Sequence, residues 1–297
     1  MKEGFLIGGG LLLVGVLLQV SVGPVRWDLV SFPVNVVLLA VFLLLLVAMY
    51  ALRRKVYAFE WLMHLQAAVP ALCYALGLTI VMGLVAQREE GGGIPWLSQM
   101  LDFWLFVLSY AWMMLILGLA SIGRLVHFSL KEIPFLLNHI GLFLALVCGA
   151  LGAADVQELE MTVREGETQW RAGKADGMAV EPGIGIELHD FIMEEFPLQP
   201  GAKMRMPKRF ASDVTVYTGD GQATPAVIEV NKPLKINGWK IYQYGYDDER
   251  GVESEISIFS LVRDPWLPLV YTGIFMMLAG ALALLFIAPR PKKEDEQ

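Results

Sequence analysis

The sequence predicts an α-helical transmembrane bundle of about six spans with one mainly β domain inserted before the last helix, and three observations predict it. The 297-residue chain is 56% hydrophobic and only 18% charged, well to the apolar side of a soluble domain. Six uncharged runs are long enough to cross a hydrocarbon core, which takes about 20 mostly apolar residues. Between the fifth and sixth runs, residues 155 to 264 alternate polar and apolar side chains as strands do.

The runs are Phe5 to Val22, Val36 to Leu52, Gln66 to Ala86, Phe103 to Ile122, Phe135 to Ala154 and Trp266 to Ala288. Charges, prolines or glycine clusters bound each of them. The first follows Lys2, as a signal peptide would, but it is long and no Ala-x-Ala site follows it, so it reads as a retained helix. Its three glycines, Gly8, Gly9 and Gly10, would weaken a helix in water and in lipid permit close helix contact. The domain boundaries that follow are 1–154 for the first five spans, 155–264 for the inserted domain, and 265–297 for the last span and tail.

If six spans alternate, Lys2, Arg53, Arg54, Lys55, Arg124, Lys131, Arg290, Lys292 and Lys293 all fall on one side, and only Arg26 and Arg88 lie in short loops on the other. Cytoplasmic loops retain positive charge. The expectation is a multi-pass protein of the cytoplasmic (inner) membrane with both termini in the cytoplasm and residues 155–264 extracytoplasmic.

Within that domain the strands read as Leu159 to Arg164, Asp213 to Thr218, Ala226 to Val230, Trp239 to Tyr246 and Ser254 to Val262. Gly219-Asp220-Gly221 links the second to the third. Asn237-Gly238 precedes the fourth, where a type I′ turn places such a pair. On the fourth strand, Tyr242, Tyr244 and Tyr246 share one face and Trp239 takes the other, which reads as a rim and a core, with a docking patch for a partner as the alternative. Glu194-Glu195 and Asp247-Asp248-Glu249 read as solvated turn faces.

The chemistry classes narrow by exclusion. A formal charge of −7 offers no basic stripe for nucleic acid, and two cysteines, Cys73 and Cys148, both in apolar runs, argue against disulfide chemistry. The chain has no GxxxxGK[ST] loop, CxxC, GxSxG elbow or HExxH pair. Four histidines remain. His139 lies about five residues inside the fifth span, roughly 7 to 8 Å below its cytoplasmic end at 1.5 Å per residue. An intramembrane imidazole is a functional-site candidate; a packing histidine bonded to a neighbouring carbonyl is the equal alternative. His64 opens the third span and either supplies a second nitrogen near that depth or is a wetted interfacial residue. His127 and His189 read as solvated.

Three stretches then resemble one family: FLLNHIGL (135–142), VNKPLKINGWKIYQYGYD (230–247), and the run LVRDPW that opens residues 261–286. Their order and content are similar to the ResB (also called CcsB) proteins of cytochrome c biogenesis, the so-called system II. IVMGLVAQ (80–87) and DFIMEEFP (190–197) are similar to a short-form subgroup. The resemblance implies a subunit that pairs with a ResC (CcsA) type membrane protein. Together they move haem across the membrane and present it for covalent attachment to apocytochrome c.

It also implies that His139 is one axial ligand for haem b in transit, beside a histidine of the partner. The tryptophan-rich WGxxWxWD segment of the ResC half is absent from this sequence, so the resemblance implies a non-autonomous subunit of a haem-lyase-type synthase. Asn138 is a candidate either for fixing the imidazole tautomer or for hydrogen bonding between helices. The rival readings are a membrane scaffold with no haem of its own, and a b-type cytochrome.

Overall fold

A computed structural model describes residues 1–87, 95–198 and 205–287 of the chain. Arg88, Arg290, Lys292 and Lys293, and the predicted end of the sixth span at Ala288, lie outside the described residues. The chain divides into a helical unit, residues 1–154 with 266 onward, and a β unit, Asp155–Pro265.

The helical unit holds α1 (Lys2–Val22), α2 (Val34–Leu52), the one-turn α3 (Tyr57–Trp61), α4 (Leu65–Leu84), the short α5 (Pro95–Ser98), α6 (Trp104–Val126), α7 (Ile133–Gly152) and α8 (Leu267–Ile287). Six of these are long and apolar enough to span a membrane, and they coincide with the six predicted runs. The chain is a multi-pass membrane protein by that measure.

Polar contacts fix which helix ends lie together. Tyr57 Oη donates to a Glu3 carboxylate oxygen at 3.5 Å, joining the start of α1 to α3. At the opposite end Val25 N donates to the Asp102 carbonyl at 2.8 Å, and Asn35 Nδ2 to the Leu151 carbonyl at 3.0 Å. Buried Gln19 accepts from the backbone N–H of Trp104 at 3.3 Å, satisfying one of the amides that the first turn of α6 leaves without a helical partner. The end that carries Arg53, Arg54, Lys55, Arg124 and Lys131 is called the basic end below.

Glycines set how closely the helices approach. A Cβ on Gly8 would stand 2.0 Å from the Tyr74 ring, and one on Gly4 2.6 Å from the Gln66 carbonyl, which Pro70 leaves without its helical donor. Gly9 and Gly10 face open space or ordinary contact, so of the predicted glycine triplet only Gly8 makes the close approach. Helices α7 and α8 meet backbone to backbone, a Cβ on Gly141 falling 2.6 Å from the Gly273 carbonyl.

The β unit is two antiparallel sheets closing on one core. The first runs β4 (Ala179–Val180), β3 (Ala172–Gly173), β1 (Gln157–Arg164), β10 (Ile256–Arg263), β9 (Trp239–Tyr246), β8 (Leu234–Ile236). The second runs β2 (Thr168–Gln169), β5 (Ile184–Glu195), β6 (Pro207–Thr218), β7 (Ala223–Glu229). Their inner faces bury Met161, Ile186, Val214, Ile228, Trp239, Ile241 and Phe259. Asn237 and Gly238 take φ of 47° and 81°, the two positive values of a type I′ turn.

The tyrosines of β9 do not share one face, because a bulge at Tyr244 shifts the register and sets Tyr246 opposite buried Ser257. Tyr244 is exposed, while Tyr246 stacks between Phe191 and Phe210 at 5.0 and 5.2 Å.

Two further expectations are corrected here. The twelve-residue strand β5 is absent from the predicted strands, because His189, Asp190, Glu194 and Glu195 interrupt its alternation. Glu194 and Glu195 accordingly lie in a strand and not a turn. Glu194 is bound by Lys208 at 3.0 Å and by Arg209 at 2.9 Å.

Candidate functional site

Helix α7 begins with Pro134 in its first turn, a position where the missing N–H costs nothing. One and two turns later the sequence Asn138-His139-Ile140-Gly141 divides its side chains between two neighbours. Asn138 and Gly141, three apart and so on one face, meet α8: a Cβ on Gly280 would stand 2.5 Å from Asn138 Nδ2, and Gly141 crosses Gly273. His139 is rotated about 100° from Asn138 and lines a cavity shared with α4 and α6.

That cavity has a volume of about 290 Å³. Ala68, Ala71 and Leu72 of α4 form one wall, and Met113, Ile116, Leu117 and Ala120 of α6 another; Asn138, His139, Leu142 and Met277 complete it. Apart from Asn138 and His139 the lining is apolar. The alanines on α4 make the room, and the spacing 113, 116, 117, 120 is one helical face.

His139 Nδ1 lies 2.9 Å from the Phe135 carbonyl oxygen. A carbonyl only accepts, so Nδ1 carries the hydrogen, and in the neutral ring Nε2 keeps its lone pair. No described residue hydrogen-bonds Nε2. The ring also stacks on Phe135, centroids 3.6 Å apart and planes 17° from parallel. Arg124 lies over the Phe135 ring, its guanidinium carbon 5.0 Å from the centroid, and is held by both carboxylate oxygens of Glu132 at 2.9 and 3.0 Å. The imidazole is thus fixed in tautomer and in plane, as a metal-ligating histidine requires.

Asn138 does neither of the things expected of it. Its Nδ2 donates to the Pro134 carbonyl of its own helix at 2.8 Å, and the tautomer-fixing acceptor is the Phe135 backbone.

His64 caps the start of α4 and lines a separate cavity with Tyr57, Glu60, Trp61, Leu65 and Gln66. The structure does not place it on the wall that His139 occupies. His127 is exposed at the end of α6, and exposed His189 shares a 2.8 Å hydrogen bond with Thr215 Oγ1. Among the described residues no three His, Cys, Asp or Glu side chains gather to hold a metal. Sequence reasoning missed the methionines and alanines of the cavity, which carry no local motif; the face spacing on α6 was the only available signal.

The ResB-like family model matches residues 129–260. Those residues resemble ResB proteins. The match runs from the loop before α7 to the middle of β10, so it contains His139 and the 230–247 motif, and it bears out the resemblance read from them.

In structural terms the ResB-like motif around 230–247 builds the β unit. Trp239 fills the core and donates to the Pro182 carbonyl at 3.1 Å, and buried Gln243 accepts from Ser212 Oγ at 2.5 Å.

A comparison with curated proteins returns no match. Among solved structures, a cytochrome c heme lyase CcmF is similar at 17% identity over 72% of this chain, with a TM-score of 0.35. This chain spans 34% of that protein's length. At that score the likeness bears on neither fold nor function.

Proposed function

We propose that this ResB-like chain is a membrane subunit in cytochrome c biogenesis that holds haem b in transit on His139 and passes it, with a ResC/CcsA-type partner, toward apocytochrome c. One observation carries the reading: an imidazole whose tautomer is fixed by the Phe135 carbonyl, and whose Nε2 no described residue hydrogen-bonds, lines an apolar cavity. Haem is a planar, largely apolar macrocycle whose iron takes imidazole nitrogen, and this wall offers one such nitrogen among methyl, thioether and isobutyl groups. The ResB-like match over that helix and the β unit supports the same reading.

The cavity is at the small end of the roughly 300–1,000 Å³ that ligand sites occupy, so one side of the macrocycle and the second axial ligand belong to the partner. In this reading the basic end is cytoplasmic, the β unit is extracytoplasmic, and the chain is one part of a haem-lyase-type synthase. The test is covalent haem attachment to a co-expressed apocytochrome c in cells that carry the ResC-type partner. His139→Gly is expected to abolish haem staining of the cytochrome while both subunits stay at wild-type levels. Undiminished attachment would turn the assignment to the scaffold reading, in which His139 only packs.

A further inference from the structure

The cavity around His64 has no part in the site described above, and it is the larger of the two, at about 570 Å³. Four features mark it. His64 is exposed at the cap of α4, with a ring that no described residue hydrogen-bonds. Glu60, four residues earlier, brings a carboxylate to the same lining. Tyr57 and Trp61 supply planar surface, and Trp61, only 6% exposed, has an indole N–H with no acceptor among the described residues. Such a buried, unpaired donor is rare in a native structure. Just ahead of Tyr57, Arg54 and Lys55 are exposed cations with no anionic partner among the described residues.

An imidazole, flat aromatic walls, an unused N–H donor and nearby cations suit a flat metal-bearing macrocycle with carboxylates on its edge. His64 stands one helical turn before Ala68, and Ala68 lines the His139 cavity. We infer that the His64 cavity is a loading station at the basic end, where haem is first ligated before it moves one turn along α4 to His139. The inference rests on the reading of His139 given above.

The experiment uses the full chain in nanodiscs of phosphatidylcholine and phosphatidylglycerol, titrated with ferric haem b and followed by the Soret band and by electron paramagnetic resonance. The variants are His64→Gly, His139→Gly, the double variant and Trp61→Phe. His139→Gly is expected to retain an imidazole-ligated haem that the double variant loses and that added imidazole restores, so that loss of fold is excluded. Trp61→Phe keeps the flat ring, removes the N–H and weakens that retained binding several-fold. If His139→Gly binds no more haem than the double variant while wild type binds it, the loading station is overturned and the His139 reading stands. If His139→Gly matches wild type in spectrum and amount, the His139 reading falls and the hand-off with it.

Discussion

The Phe135 carbonyl oxygen and His139 Nδ1 stand 2.9 Å apart within one turn of α7, and this single contact decides which nitrogen of the imidazole is free. A histidine at this depth with both nitrogens bonded to helices would be a packing residue. With Nδ1 committed to its own backbone and Nε2 hydrogen-bonded by no described residue, it meets the requirement of the proposed ligand role.

The cavity also holds two thioethers, Met113 and Met277, and sulfur is an alternative axial ligand for haem iron. Because the second ligand is assigned to the partner, Met113→Leu and Met277→Leu should leave the haem spectrum of the co-purified complex unchanged. Near-isosteric swaps of this kind cost less than about 1.5 kcal/mol. A spectrum altered by one of them would place the second ligand inside this chain.

Gly8 and Gly10 separate packing from propensity. A Cβ at Gly8 would fall 2.0 Å from a Tyr74 ring that is itself anchored by a 2.9 Å bond to the Phe5 carbonyl, whereas a Cβ at Gly10 meets nothing within 4 Å. Gly8→Ala is expected to destabilise by about 1–3 kcal/mol, the usual cost of overpacking. Gly10→Ala should be neutral. Thermal unfolding of the purified chain in detergent measures both, and equal effects would contradict the assigned contact of α1 with α4.

Between the sheets, Ser212 Oγ donates to Gln243 Oε1 at 2.5 Å and shares a 2.7 Å bond with Ser257, all three residues being buried. Ser212→Ala takes the partner from Gln243 Oε1 and from the Ser257 hydroxyl, and leaving a buried polar group unpaired costs about 1–3 kcal/mol. A lowered unfolding temperature is the expected result, with no change in haem binding, because the network lies wholly in the β unit.

Acid should loosen the β unit through Arg209. Hydrogen bonds from its guanidinium, and then from Lys208, hold the Glu194 carboxyl below the usual carboxylate range; Arg209 and then Lys232 do the same for Glu229. A carboxyl depressed in the folded state adds stability above its unfolded value and loses it as pH falls through the folded one. Unfolding temperature should therefore fall below the ordinary carboxylate range, and Arg209→Gln should flatten that fall. Near neutral pH the same substitution should lower the unfolding temperature by the amount that acid no longer removes, a small one because these pairs are only half-buried.

How far the sequence reaches can be judged from particular residues. The six spans were legible because lipid demands long uncharged runs, and β1, β9 and β10 because alternation over a core leaves period two. Strand β5 was not, since both its faces are half-wetted in its second half and its charges are paired across to β6. His139 was legible as a polar group in hydrocarbon, but its company was not. Ala68, Met113 and Met277 come from three helices far apart in the chain, and Phe135 acts through a carbonyl that every residue possesses. The choice between the two readings of His64 was not legible on the same ground, because similar depth along two helices says nothing about which cavity each faces.

The most direct test of the central claim is the visible absorption spectrum of the chain purified with its ResC-type partner, for wild type and for His139→Gly, with and without imidazole. The account predicts a full Soret band in wild type, its reduction in the variant to what the His64 cavity alone retains, and its recovery when imidazole fills the space the side chain left. An undiminished Soret band in His139→Gly would contradict it.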